Sequence, residues 1–289
     1  MNKFKRHLDF WRLYHDIIFS MFGVGHIVFI IISIILILCG TAVCFAKKPP
    51  VEKVLKTGFC LAAAMEVFKM LLSLKMVPVV EPVITGGEFM YRETGRYSPY
   101  LMAEHLPFEL CSLQIVFMFL AIVIKNETWK RRIYSVIYGT AIIGGTLAIL
   151  LSSLAPEYDS AADFLLAPRA WEFFIYHVMI IVIALYLGFG KVCDIRFADC
   201  KWMIAAVALL DYASFYLNSM LSVPAYMNDR LIGLEYAVNF FSSYNNPLGI
   251  AVKEKWQYLI YLAIRISVAI TVILLVYLPL YLRDRRRNQ

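Results

Sequence analysis

With 289 residues, 61% of them hydrophobic and only 17% charged, and a mean hydropathy of +0.68, the chain falls outside the soluble globular class. Its net charge of +7 comes from short basic clusters between apolar segments, the pattern of topology signals, and no nucleic-acid-binding module accompanies them. The six cysteines have no metal-ligand spacing and four lie in apolar segments, so neither a disulfide framework nor a zinc site is expected, and the chemistry requires no metal or cofactor.

Residues 1–25 alternate charge with aromatics, unlike a cleavable signal peptide. Phe4, Leu8, Trp11, Ile18 and Phe22 recur at helical spacing, predicting an interfacial amphipathic segment on the outer surface, although Lys3, Lys5, Arg6 and Arg12 run against the usual charge bias. At about 20 apolar residues per crossing, the remainder reads as an all-α polytopic bundle of seven transmembrane helices. These span 26–46, 54–76, 106–124, 133–153, 170–189, 202–222 and 257–282. The first acts as an uncleaved anchor, residues 26–282 form one domain, and 283–289 are a basic tail. Trp129, Trp171, Trp202 and Trp256 each fall at a predicted boundary, where an amphipathic ring sits best.

Basic loops (Lys47, Lys48, Lys53 and Lys56; Lys125, Lys130, Arg131 and Arg132; Lys191, Arg196 and Lys201) alternate with loops that hold Glu81, Glu88, Glu93, Glu104, Glu157, Asp159 and Asp163. With Arg283 and Arg285 to Arg287 in the tail, this bias places the N-terminus outside and the C-terminus in the cytoplasm. The fourth span carries Thr140, Gly144 and Ala148, and also Ala141 and Gly145, in small-xxx-small spacing that serves either packing within the monomer or a homodimer.

A charge in the bilayer core costs about 2.5 kcal/mol or more, so intramembrane charges mark a cavity, a partner or a function. Here they are Glu66, Lys69, Glu109, Glu172, Asp211 and Arg265, accompanied by His105, Cys111, Gln114, His177 and Asn218. Pro107 suits a first helical turn, which starts the third span there, leaves His105 in the interface and sets Cys111 about 6 Å deep. On the same scale His177 lies about 9 Å below Trp171, Lys69 and Arg265 about 12 Å deep, and Glu66 and Asp211 about 16 Å. The depths predict a polar cavity in the outer half. Glu66 with Lys69, and Asp211 with Arg265, read equally well as structural ion pairs. Lys75 reads as a snorkelling side chain and His26 as interfacial. Cys111 and His177 stand out because an imidazole beside a thiol can take its proton and later protonate a leaving alkoxide.

The segments "GVGHIV", "HLPFELCSLQ", "YLNSM" and "NFFSSYNNP", with a histidine inside the fifth span, resemble the YwaF-like bacterial membrane proteins. That family is similar to the eukaryotic TMEM164-like proteins and, more distantly, to the androgen-induced-gene hydrolases. The resemblance implies a membrane enzyme in a bacterial plasma membrane that moves a fatty acyl group between lipids or hydrolyses a lipid ester. By position, Cys111 matches its nucleophile and His177 its base, while His26, His105 and Asn218 match further polar positions. Asn239-Phe240 and Tyr244-Asn245-Asn246-Pro247 depart from the single Asn-Tyr element expected before the last span.

Two readings assign roles to named residues, beside a third in which the chain is a sensor or scaffold and the polar groups form a structural network. In the first, Cys111 and His177 perform acyl transfer or ester hydrolysis on a membrane lipid. Glu109, Gln114 and Asn218 orient the imidazole or bind the acyl carbonyl, and residues 223–256 form an outer lid or re-entrant element. In the second, a small polar or anionic solute is transported or bound, with Lys69 and Arg265 as anion contacts and Glu66 and Asp211 as proton-linked groups.

Overall fold

The computed structural model describes residues 22–85, 88–152, 168–227, 230–236, 240–242 and 254–287. The expected interfacial segment, apart from its last residues, lies outside them. Among the described residues seven α-helices follow one another: α1 Val24–Lys47, α2 Val51–Ser73, α3 Gln114–Val123, α4 Glu127–Leu150, α5 Pro168–Phe189, α6 Cys200–Leu221 and α7 Lys255–Arg287. Five of them (α1, α4, α5, α6 and α7) are long and apolar enough to cross a membrane. Of the seven expected spans, two do not meet that measure among the described residues. With ten residues α3 rises about 15 Å, half of a hydrocarbon core of about 30 Å. The helix α2 has the length but carries Glu52, Lys53, Lys56, Glu66 and Lys69.

The all-α expectation is corrected as well. Strands β1 (Lys75–Thr85) and β2 (Glu88–Tyr100) form an antiparallel hairpin, and β3 (Val223–Met227) with β4 (Arg230–Tyr236) forms a second. Lys75 is therefore the first residue of a strand, paired with Tyr100, and no helical snorkel. Pro78 and Pro82 are tolerated because both strands of a two-stranded ribbon are edges, and the register shifts by a bulge between Pro78 and Val80.

Local chemistry sets the helix ends. Lys48 closes α1 in the left-handed region (φ 46°), its N–H returning to the Cys44 carbonyl, and Pro49-Pro50 then leads into α2. Asn126 caps α4 by accepting the Trp129 N–H at 3.1 Å. Helix α5 is the centre of the bundle, packed on α1, α2 and α4. At one end of the bundle, Tyr186 donates to the Pro49 carbonyl at 2.6 Å, Ser135 to Asp199 O at 3.0 Å and Arg283 to Gly188 O at 2.5 Å and to Ile195 O. The basic loops gather at this end. Both hairpins and the intramembrane charges of α2, α5, α6 and α7 lie at the other.

The small residues of α4 pack within the monomer. A Cβ on Gly145 would come within 2.7 Å of Ile181 on α5, and one on Gly144 would touch the backbone nitrogen of Cys111 at 3.7 Å. Thr140 and Ala141 are fully buried.

Candidate active site

At the hairpin end a cavity of about 770 Å³ opens between α2, α4, α5 and the segment that precedes α3. That segment is built differently from the helix expected at Pro107. Leu106 is extended (φ −66°, ψ 149°), as a residue before proline prefers, and the Phe108 N–H returns to Leu106 O at 2.8 Å instead of starting a helix. Helical bonding begins with Leu113 N–H to Glu109 O (3.0 Å), so Cys111 occupies a turn ahead of α3 and not the fifth position of a helix. Its carbonyl accepts two hydrogen bonds, from Gln114 N–H at 3.0 Å and from the Tyr176 hydroxyl at 2.6 Å. The backbone N–H groups of Cys111 and Ser112 lie close to the sulfur.

His177 faces the same cavity from α5. Its Nδ1 lies 2.6 Å from the Phe173 carbonyl, which can only accept, so Nδ1 carries the hydrogen. A neutral ring then leaves a lone pair on Nε2. That atom is buried and has no hydrogen-bond partner among the described residues. An unsatisfied buried polar atom is unusual in a folded chain and points to a functional demand. No hydrogen bond joins Nε2 to the Cys111 sulfur. Phe173 and Tyr176 flank the imidazole at ring-centroid distances of 4.3 and 5.3 Å and fix its plane.

The charges around the cavity are mostly paired. Lys69 bridges Glu66 one turn away, Arg169 bridges Glu172, and Ser112 Oγ reaches Glu66 Oε2 at 3.4 Å. Glu109 and His105 complete the polar lining. Among the described residues, no group of three or more His, Cys, Asp or Glu is arranged to hold a metal ion.

Other residues singled out in the sequence lie elsewhere. His26 is fully buried between α1 and α4, where Nδ1 accepts the Phe22 N–H (3.0 Å) and Nε2 donates to Ile149 O (2.8 Å). It tethers two helices. Gln114 donates to Thr140 Oγ1 at 2.5 Å, and Thr140 passes the bond to Val136 O at 2.6 Å, so Gln114 ties α3 to α4. Asn218 spans the backbone of one residue, donating to Phe240 O (3.1 Å) and accepting from Phe240 N–H (2.8 Å). Arg265 pairs with Asp211 and donates to Phe241 O at 3.2 Å. These three side chains hold the 240–242 turn over the cavity, where Phe240 meets Phe108 edge-on at 5.5 Å and Phe241 joins the lining. Within the lid region 223–256, only the β3–β4 hairpin, the 240–242 turn and the start of α7 fall among the described residues. Tyr176, Arg169 and Phe241 are site residues that the sequence pattern did not single out. The only advance signal was the i, i+3 spacing of Arg169 and Glu172.

A model of the TMEM164 family matches residues 21–278, which takes in all seven helices up to the last turns of α7. The chain belongs to the TMEM164 family. The match bears on the TMEM164-like resemblance and not on the androgen-induced-gene hydrolases. No curated protein and no solved structure matches the chain. In this TMEM164-family protein the matched region includes every residue of the cavity.

Proposed function

We propose that this multi-pass membrane protein is an acyltransferase or ester hydrolase acting on a membrane lipid, with Cys111 as nucleophile and His177 as its base. The observation that carries the reading is the buried Nε2 of His177, its tautomer set by Phe173 O and without a hydrogen-bond partner among the described residues, on a side chain that lines the same cavity as Cys111. The thiol rotates toward the imidazole as the ester docks. Nε2 takes the thiol proton, and the sulfur adds to the ester carbonyl. Collapse breaks the C–O bond, the leaving alkoxide takes the proton back from His177, and an acyl thioester remains on Cys111. A second hydroxyl, of water or of a lysolipid, gives its proton to Nε2 and attacks the thioester, which restores the thiol.

In this reading all seven helices traverse or enter a bacterial plasma membrane with the N-terminus outside. The cavity sits in the outer half, away from the basic loops, where positive charge is retained in the cytoplasm. Transport of an anionic solute has less support, because Lys69 and Arg265 are each already bridged to an acid, Glu66 and Asp211. Protein purified with lipid and analysed by intact mass is expected to carry an acyl increment that Cys111→Ala removes. If Cys111→Ala and His177→Ala both leave cellular lipid composition unchanged, the enzyme reading fails.

A further inference from the structure

A second cavity of about 350 Å³ lies between α4, α6 and α7. It differs in chemistry from the first. Its walls are aliphatic except at one end, where Asp211 and Arg265 sit, and these two bridge each other. Neither leaves a strong unmet demand for a polar ligand, so a charged or hydrogen-bonding molecule gains little by occupying the space.

Two features of its shape bear on what it can hold. First, the cavities share a wall. Leu110, Ile143, Leu147 and Phe241 line both, and Leu110 is the residue beside Cys111. A molecule lying in both places its apolar part between α6 and α7 and its polar part at Cys111. Second, the far end lies against buried side chains. The apolar cavity runs from Asp211 to Met203 along α6 and from Arg265 to Ile273 along α7, about 12 Å on each helix. Met203 and Ile273 are buried, at 0% and 2% exposure, and form a floor.

From this continuity we infer that the α4–α6–α7 groove is the acyl-chain site, holding the hydrocarbon of the lipid whose ester lies at Cys111. Phe241 stands where the chain passes from the polar to the apolar cavity. The inference rests on the Cys111 and His177 reading for its account of what the ester does, but not for the presence of the chain. Burying a methylene away from water is favourable. In a bilayer that gain is already present, so what the groove adds is selection by length: a chain that reaches the floor fills it, and a longer one must bend or stay out. Ala269 lies midway along the α7 wall, and a larger side chain there shortens the groove.

The test uses full-length protein in lipid nanodiscs containing a phospholipid with a terminal diazirine on its acyl chain. After irradiation, labels are mapped by peptide mass spectrometry and compared with Leu275, which faces outward at 60% exposure and reports ordinary lipid contact. Labelling of Met203 and Ile273 is expected at least tenfold above Leu275. Ala269→Phe, and to a lesser degree Ala269→Leu, is expected to remove that excess while Leu275 labelling persists. Equal labelling of Met203, Ile273 and Leu275 in the unaltered protein overturns the inference, as does an excess indifferent to both substitutions. The same samples are scored for an acyl thioester on Cys111. Floor labelling without a thioester keeps the groove as a lipid site and removes the proposed chemistry. A thioester without floor labelling keeps the chemistry and removes the groove.

Discussion

His177 and Cys111 line one cavity, with no hydrogen bond between His177 Nε2 and the Cys111 sulfur. The base is held in readiness by the other ring nitrogen, which donates to Phe173 O at 2.6 Å. His177→Ala is therefore expected to slow thioester formation about a hundred- to ten-thousand-fold, the usual range for removal of a general base. Tyr176→Phe removes only the bond to the Cys111 carbonyl, which keeps its second donor at Gln114 N–H. That loss is worth about 1 kcal/mol. It is expected to lower the single-turnover rate several-fold and to leave the melting temperature within a few degrees. Quench-flow measurement of acylation beside a thermal melt separates the two effects. A His177→Ala protein that acylates at the unaltered rate would remove His177 from the chemistry.

Asn218 satisfies both the N–H and the carbonyl of Phe240, at 2.8 and 3.1 Å, and so holds the 240–242 turn. Asn218→Ala leaves two buried backbone groups unmet at a combined cost of about 2 to 4 kcal/mol. Asn218→Asp is close in shape but sets a carboxylate oxygen against the Phe240 carbonyl, and it is expected to destabilise at least as much. If Asn218→Asp melts like the unaltered protein while acylation is lost, the side chain acts on substrate instead.

Much of this site was legible because apolar runs and depth along a helix are sequence properties. Glu66 with Lys69 needed only an i, i+3 spacing, and Cys111 and His177 were matched by their depth below two helix ends. The failures share one cause, that backbone atoms carry no label in a sequence. Gln114 and Asn218 were recognisable as intramembrane polar residues and His26 read as interfacial, but the partners of His26 and Asn218 are the carbonyl of Ile149 and the backbone of Phe240. Proline misled at the third span, where Pro107 suggested a helix start although Leu106 and Phe108 close a tight turn there. Tyr176 was lost among aromatics that read as core, since nothing in a stretch such as "FFIYH" marks the hydroxyl that reaches Cys111.

Cys193 lies in the loop after α5, where its thiol donates to Leu187 O at 3.0 Å and burial pushes it up to about 12 from an ordinary 9.0. The sign follows from linkage. The unfolded thiol ionises near 9 and the folded one only near 12, so the folded state loses ground as pH rises across that window. The contribution is fully present below pH 9. Maleimide labelling of Cys193 in the folded protein at pH 8 is expected to be far slower than after denaturation, and Cys193→Ala is expected to flatten part of the decline in stability above pH 9. Rapid labelling of the native thiol would refute the burial that underlies both.

Gly145 sets how closely α4 approaches the helix that carries His177. A methyl group there would lie 2.7 Å from Ile181 Cγ1 and 3.4 Å from the His177 carbonyl, so Gly145→Ala must push α5 outward or force Ile181 off its rotamer. The expected cost is about 1 to 3 kcal/mol, typical of overpacking. It carries a second consequence, because displacing α5 shifts His177 relative to Cys111, whose turn rests on the neighbouring Gly144. Acylation should therefore fall by more than the loss of folded protein explains. Ile181→Ala vacates the space that the new methyl needs, so the double variant is expected to be more stable than the sum of the single effects predicts. A strictly additive cycle would show that α4 and α5 accommodate the methyl without contact, and the close approach beneath His177 would then have no part in positioning it.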